Sequence, residues 1–292
     1  MGFLATYIMR GRWQAIIATI GLAFLSLFMP PISIVSSAAV GLVTLRLGAY
    51  EGLTVFGIAV LILGTLGMLV GNVEFALLYG VVLWLPIWVL AILLRAGRRL
   101  ALAIESAVLL GGIGILGFYL YKPDAVEMWK GLLMQMSPPD TGLDMQPQME
   151  IIAHYMTGII AAGTVFGWIF ALFMARWWQA QLYNPDGFRT EYLGLSTSKS
   201  LAMGSISLIS VAMLSSGGVE ELTWNLSILV FVLYTFVGTA VLHSLLAPLK
   251  QGRYLVIGFY MTVFLIPHLL VPVATIGVAD VWLNLRQKFK IK

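Results

Sequence analysis

The sequence has no cysteine and only three histidines. The first absence excludes a disulfide framework and a thiolate metal site. The second leaves too few ligands for a multi-histidine zinc site. Charge is scarce too: 10% of the 292 residues are charged, while 60% are hydrophobic. A soluble domain carries about 25% charged residues. So few charges cannot cover a water-exposed surface, so the solvent for most of this chain is lipid. Catalytic signatures are missing as well. There is no Gly-Lys-Ser/Thr phosphate loop, no HExxH and no serine within GxSxG. The chain is therefore not read as an enzyme, no cofactor is expected, and any ATP-driven role would need a separate ATPase subunit.

What the sequence does contain is apolar runs. Crossing a bilayer core of about 30 Å takes about 20 apolar residues in a helix. Nine stretches approach that length: Trp13–Phe28, Ile32–Leu47, Leu53–Val70, Phe75–Leu94, Leu100–Tyr121, Ile151–Ala175, Leu201–Ser216, Trp224–Ala247 and Tyr254–Ala279. The expected fold is all-α, a polytopic transmembrane helical bundle of eight or nine spans forming a single integral membrane domain over 1–292. Two connections are long. One is an outside loop at about 122–150, whose first half, AVEMWKGLLMQM, is amphipathic and suits the membrane surface. The other is a cytoplasmic loop at about 177–197. Arg10 and Arg12 precede the first run, which has no small-residue cleavage pattern and reads as a retained span.

Orientation follows from the basic residues. With the N-terminus inside, Arg10, Arg12, Arg46, Arg95, Arg98, Arg99, Arg176, Arg189, Lys199, Lys250 and Arg253 fall on the cytoplasmic side of a bacterial-type inner membrane. The outside loops keep only Lys122 and Lys130, and most of the acids: Glu74, Asp124, Glu127, Asp140, Asp144, Glu150, Glu220 and Glu221. Nine crossings would put the basic tail, Arg286 to Lys292, outside. An inside tail with eight crossings fits the rule better, and Pro267 and Pro272 mark where the last run can break. The net charge of +4 sits in short clusters between apolar runs, which is a topology signal and not a nucleic-acid face.

Ionisable side chains inside apolar runs are costly and rank first as cavity candidates. They are Glu105, His243 and His268. Against that reading, Glu105 pairs readily with the Arg95/Arg98/Arg99 cluster, His243 lies near a span end, and His268 sits at a proline kink. Six of the 14 methionines fall between residues 128 and 156. The metal expectation is none; the alternative is a soft Cu(I) site on Met134, Met136, Met145 and Met149, weighed against simple packing. Small-residue pairs such as Gly48/Gly52, Gly67/Gly71 and Gly163/Gly167 read as internal helix packing.

Two motifs carry a resemblance. Ala175–Leu195, ARWWQAQLYNPDGFRTEYLGL, resembles the proteobacterial branch of the YybS-like family, bacterial membrane proteins of unknown function. In that branch an aromatic-Gln stretch precedes an Asn-Pro-Gly-Gly-Phe turn; here Asp186 stands where a glycine is common. Gly277–Lys288, GVADVWLNLRQK, is similar to the family's closing pattern. Where the family has a later basic-apolar stretch, this chain reads Leu193–Gly194–Leu195, with no arginine. The family is distantly similar to substrate-binding subunits of energy-coupling-factor transporters, and Pro31–Val60 looks like their early helices. The resemblance implies a small-molecule-binding subunit that docks onto an energising module. The first span departs from it, because Ala15 and Ala18 are three apart and form no AxxxA pattern.

Three functional expectations follow. The first is a transport-related subunit that binds a small uncharged or amphiphilic solute in a cavity among the N-terminal helices. The second is a scaffold or assembly factor for other membrane proteins, with Trp178, Arg189, Asp280 and Arg286 as docking residues. The competing reading of those four is interfacial anchoring of helices, and Asp280 and Arg286 are too far apart for an i,i+4 pair. The third is an intramembrane enzyme, for which no nucleophile and base are visible. The expected partners are the lipid bilayer, a membrane protein or coupling module, and a small solute.

Overall fold

The computed structural model describes residues 2–136 and 146–288. All regular structure among them is helical. In chain order the helices are α1 (Gly2–Ile8), α2 (Arg12–Leu25), α3 (Ile32–Leu47), α4 (Ala49–Val70), α5 (Glu74–Gly97), α6 (Leu100–Tyr121), α7 (Ala125–Met136), α8 (Gln146–Tyr183), α9 (Gly187–Leu193), α10 (Lys199–Leu214), α11 (Gly218–Leu246), α12 (Gly252–Leu265), α13 (Leu270–Leu283) and α14 (Leu285–Lys288). Each of the nine apolar runs has become a helix or a helix pair. The protein is an all-α, multi-pass membrane bundle. Five helices are long and apolar enough to cross a membrane: α4, α5, α6, α8 and α11. The shorter ones, α2, α3 and α10, have 14, 16 and 16 residues. The last run is a pair, α12 and α13, bent by 118°. Ile266, held off the helix at φ −130°, ψ 79°, precedes Pro267. Proline's ring disfavours helical backbone in the residue before it, which is why the break falls there.

The amphipathic segment expected at the start of the outside loop is α7, residue for residue. The chain forms two compact units, Met1–Ala107 with Phe166–Gly194, and Val108–Val165 with Leu195–Lys292. Two of the boundaries fall inside α6 and α8, where no linker composition marks them.

In the first unit, α2, α3, α4 and α5 enclose a core of Ala23, Val40, Ala59, Leu63, Ala76, Tyr79 and Trp84. Helix α5 widens into a π-helical stretch at Leu78–Trp84, just ahead of Pro86. Proline cannot donate to the carbonyl four residues back. Val82 holds that carbonyl, and the Trp168 Nε1–H donates to it at 2.7 Å. The Trp84 indole donates to Ser36 Oγ at 3.2 Å, and Ser36 passes the chain to the Thr19 carbonyl at 2.8 Å.

In the second unit, α11 is the most enclosed helix, with a buried stretch from Val232 to Val241. It meets α13 at two glycines. A Cβ on Gly238 would lie 1.9 Å from the Val273 carbonyl oxygen, and one on Gly277 would lie 2.4 Å from the Tyr234 carbonyl oxygen. The two backbones touch because neither position has a side chain. A polar cluster joins α6, α8 and α11. The Asn225 amide nitrogen lies 2.7 Å from the His154 carbonyl, 2.8 Å from the Glu221 carbonyl and 3.1 Å from the Tyr119 hydroxyl. Asn225 Oδ1 accepts from the Gly158 N–H, and the Tyr119 hydroxyl donates to Glu221 at 2.6 Å. Helix α7 is tied to α8 by Trp129 Nε1–H, which donates to Thr157 Oγ1 at 2.9 Å.

Candidate functional site

The ends of three helices and α9 of the first unit line one cavity of about 520 Å³. Its walls are Leu45 and Arg46 from α3, Leu94, Arg95 and Arg98 from the end of α5, and Arg176, Gln179, Tyr183, Asn184 and Glu191 from the end of α8 and from α9. Four arginines face one glutamate, a formal surplus of three positive charges. Leu45 and Leu94, both buried, give it an apolar floor.

The arginines are not equivalent. The last carbonyls of a helix lack intrahelical partners. In α3 the Leu45 carbonyl is one of these, and it accepts from Arg95 Nη1 at 2.7 Å and from Gln179 Nε2 at 3.2 Å. Arg95 is thus occupied in ending α3. Arg176 forms a two-pronged pair with Glu191, at 2.9 and 2.5 Å, and donates to Gln179 Oε1 at 3.1 Å. Arg176 is thereby neutralised and holds α9 against α8. Arg46 lies over the Tyr183 ring, 3.9 Å from its centroid, an attraction that leaves its charge uncancelled. Arg98 ends α5 in the left-handed region, at φ 49°. Its side chain makes no hydrogen bond or ion pair among the described residues. Arg46 and Arg98 both line the cavity and are exposed.

The turn that places α9 is Asn184–Pro185–Asp186–Gly187. Asp186 takes a left-handed backbone, φ 66°, which aspartate tolerates better than most residues. A Cβ on Gly187 would meet Asn184 Nδ2 at 2.4 Å and Arg176 Nη2 at 3.3 Å, so the glycine lets the turn close onto the cavity wall.

The cavity residues expected from sequence lie elsewhere. Glu105 is half-buried on α6 and makes no ion pair among the described residues. His243, on α11, is half-buried with its ring edge-on to Tyr260 at 5.3 Å. His268 is exposed on the short turn between α12 and α13. None of the three lines the arginine cavity. Three of the four docking candidates are buried or paired within the fold. Trp178 is 1% exposed, because α8 continues past the expected span end and packs that face inward. Asp280 is buried, and Arg286 pairs with it at 3.3 Å. A straight helix would keep them apart, but Asn284 turns the chain back at φ 46°. Asp280 Oδ1 also accepts from the Leu285 N–H at 2.8 Å, and Arg286 donates to the Leu195 carbonyl. Arg189 alone of the four is exposed.

For the copper alternative, Met134 and Met136 are exposed on α7 and Met149 is half-buried on α8. Met145 lies outside the described residues. Among the described residues no group of three His, Asp or Glu side chains is placed to hold a metal ion.

Sequence missed the cavity but not its parts. All four of its arginines belong to the set that the basic asymmetry puts on one side. No family model, curated protein or solved structure matches this chain.

Proposed function

We propose that the protein is a solute-binding subunit of a bacterial-type inner membrane, and that the arginine-lined cavity is its site. One observation carries the reading. A cavity in the usual size range of ligand pockets holds two arginines, Arg46 and Arg98, whose side chains have neither a carboxylate nor a hydrogen-bond partner among the described residues. Its lining favours an anionic head over the uncharged solute expected from sequence, and the buried leucine floor suits an amphiphile. Its seat on α3, α5 and α8 accords with the transporter resemblance only in using N-terminal helices. With no nucleotide-binding motif in the chain, energised transport would draw on a separate ATPase. The scaffold reading loses support, because Trp178, Asp280 and Arg286 are engaged within the fold.

Native mass spectrometry of protein gently extracted from its own membrane tests this. A recurring small-molecule adduct, lost in Arg46→Gln, is the expected result. A co-isolated protein with no small ligand would replace this reading by the scaffold one.

The same proposal sets both termini on the cytoplasmic side, with eight crossings and a re-entrant α12–α13 pair. The 118° bend supports this, as does the gathering of four arginines in one cavity. The cysteine-free chain suits single-cysteine labelling. Asp124→Cys should react with an impermeant maleimide in intact cells. Arg10→Cys and Lys288→Cys should react only after the membrane is opened. Labelling of position 288 in intact cells would restore nine crossings.

A further inference from the structure

Resting on the solute-binding reading, we infer that the group held in the cavity is a phosphate carrying two or more negative charges, gripped by Arg46 and Arg98. Charge is the first ground. A single carboxylate is already present on Glu191, and it balances the charge of one arginine through two hydrogen bonds. A second carboxylate would leave the cavity with two uncompensated positive charges. A phosphate monoester carries about −1.5 to −2 at neutral pH, and a diphosphate carries more, so either brings the lining close to neutrality.

Geometry is the second ground. Guanidinium groups present planar forks that match the paired oxygens of phosphate. Arg95 is committed to the Leu45 carbonyl and Arg176 to Glu191. That leaves the Arg46 and Arg98 forks available. Arg46 has its guanidinium carbon 3.9 Å from the centroid of the Tyr183 ring, a contact that restrains its fork before the ligand arrives. Arg98 is fixed at its Cα by the helix end, where its N–H donates to the Leu94 carbonyl at 2.9 Å, and the residue lines the cavity. Both arginines are exposed, so a phosphate can exchange its hydration shell for their guanidinium donors.

Phosphate chemistry has two sources here, a lipid headgroup and a free metabolite. The test uses the intact protein in detergent, with binding measured by calorimetry against inorganic pyrophosphate, dihexanoyl phosphatidate and decanoate. At least one phosphate probe should bind, and more tightly than decanoate. Arg46→Gln and Arg98→Asn should each weaken that binding tenfold or more, while Arg253→Gln, on the second unit, should leave it unchanged. Asparagine keeps position 98 at ease with its left-handed backbone, so this variant isolates the side chain. Pyrophosphate binding without phosphatidate binding assigns the site to a soluble phosphate; the reverse assigns it to a lipid headgroup. Decanoate binding as tightly as phosphatidate would overturn the phosphate assignment and leave the solute-binding reading intact. Phosphate binding insensitive to both arginine variants would overturn the assignment of the site. If no probe binds, the phosphate assignment falls, and the native-spectrum adduct then decides separately whether solute binding survives.

Discussion

The two units each hold a polar cluster, and the clusters are built on opposite plans. In the second unit Asn225 spends its amide on partners from three helices, and Tyr119 and Glu221 close the network. In the first unit the cavity contains spent groups and unspent ones side by side. Arg95, Gln179, Arg176 and Glu191 are bonded to one another or to backbone, whereas the side chains of Arg46 and Arg98 have no hydrogen bond or ion pair among the described residues. A polar group with every bond taken can accept a ligand only by breaking the fold. An uncommitted charge can accept one at no such cost. The Asn225 cluster therefore reads as structure and the arginine cavity as a site.

That contrast can be broken by experiment, and the largest effect belongs to the closed cluster. Asn225→Ala removes the four hydrogen bonds that this amide makes to groups on α6, α8 and α11, each worth about 0.5–1.5 kcal/mol net. A loss of about 3 kcal/mol is expected, read as a large fall in the melting temperature of the detergent-solubilised protein. A melting temperature unchanged by this variant would remove the distinction. Glu191→Gln should cost less, about 1 kcal/mol, because a neutral amide can still accept one bond from Arg176 and the pair is partly solvated. The smallest effect should come from Arg98→Asn, which should change stability by less than about 0.5 kcal/mol, as expected for an exposed position. A large melting shift in that variant would mean that Arg98 is structural after all.

The nine apolar segments and the amphipathic α7 were legible because the demand of lipid acts locally, residue by residue, along the chain. The side of the cavity arginines could be proposed from the same rule. Their meeting was not legible, since it needs the ends of α3, α5 and α8 brought together across more than a hundred residues of sequence. Asp280 and Arg286 were misjudged for a different reason. Straight-helix spacing forbids their pair, and only the left-handed Asn284 permits it. Of the small-residue pairs read along single helices, Gly52 packs against Thr44 and Trp88, whereas Gly163 and Gly167 have open space beside them. Gly238 and Gly277, which let the α11 and α13 backbones touch, lie on different helices and form no pattern in the sequence. Asp186 takes a left-handed backbone, which glycine adopts freely and aspartate better than most residues.

The seam between α11 and α13 also constrains how this protein can change over time. At positions 238 and 277 the twenty-letter alphabet shrinks to one letter, because the neighbour is a main-chain oxygen that no rotamer can move aside. A lineage that replaces either glycine cannot repair the damage by altering a facing side chain; it must slide one helix along the other. Sequences sharing this architecture should therefore keep both glycines together or lose both together.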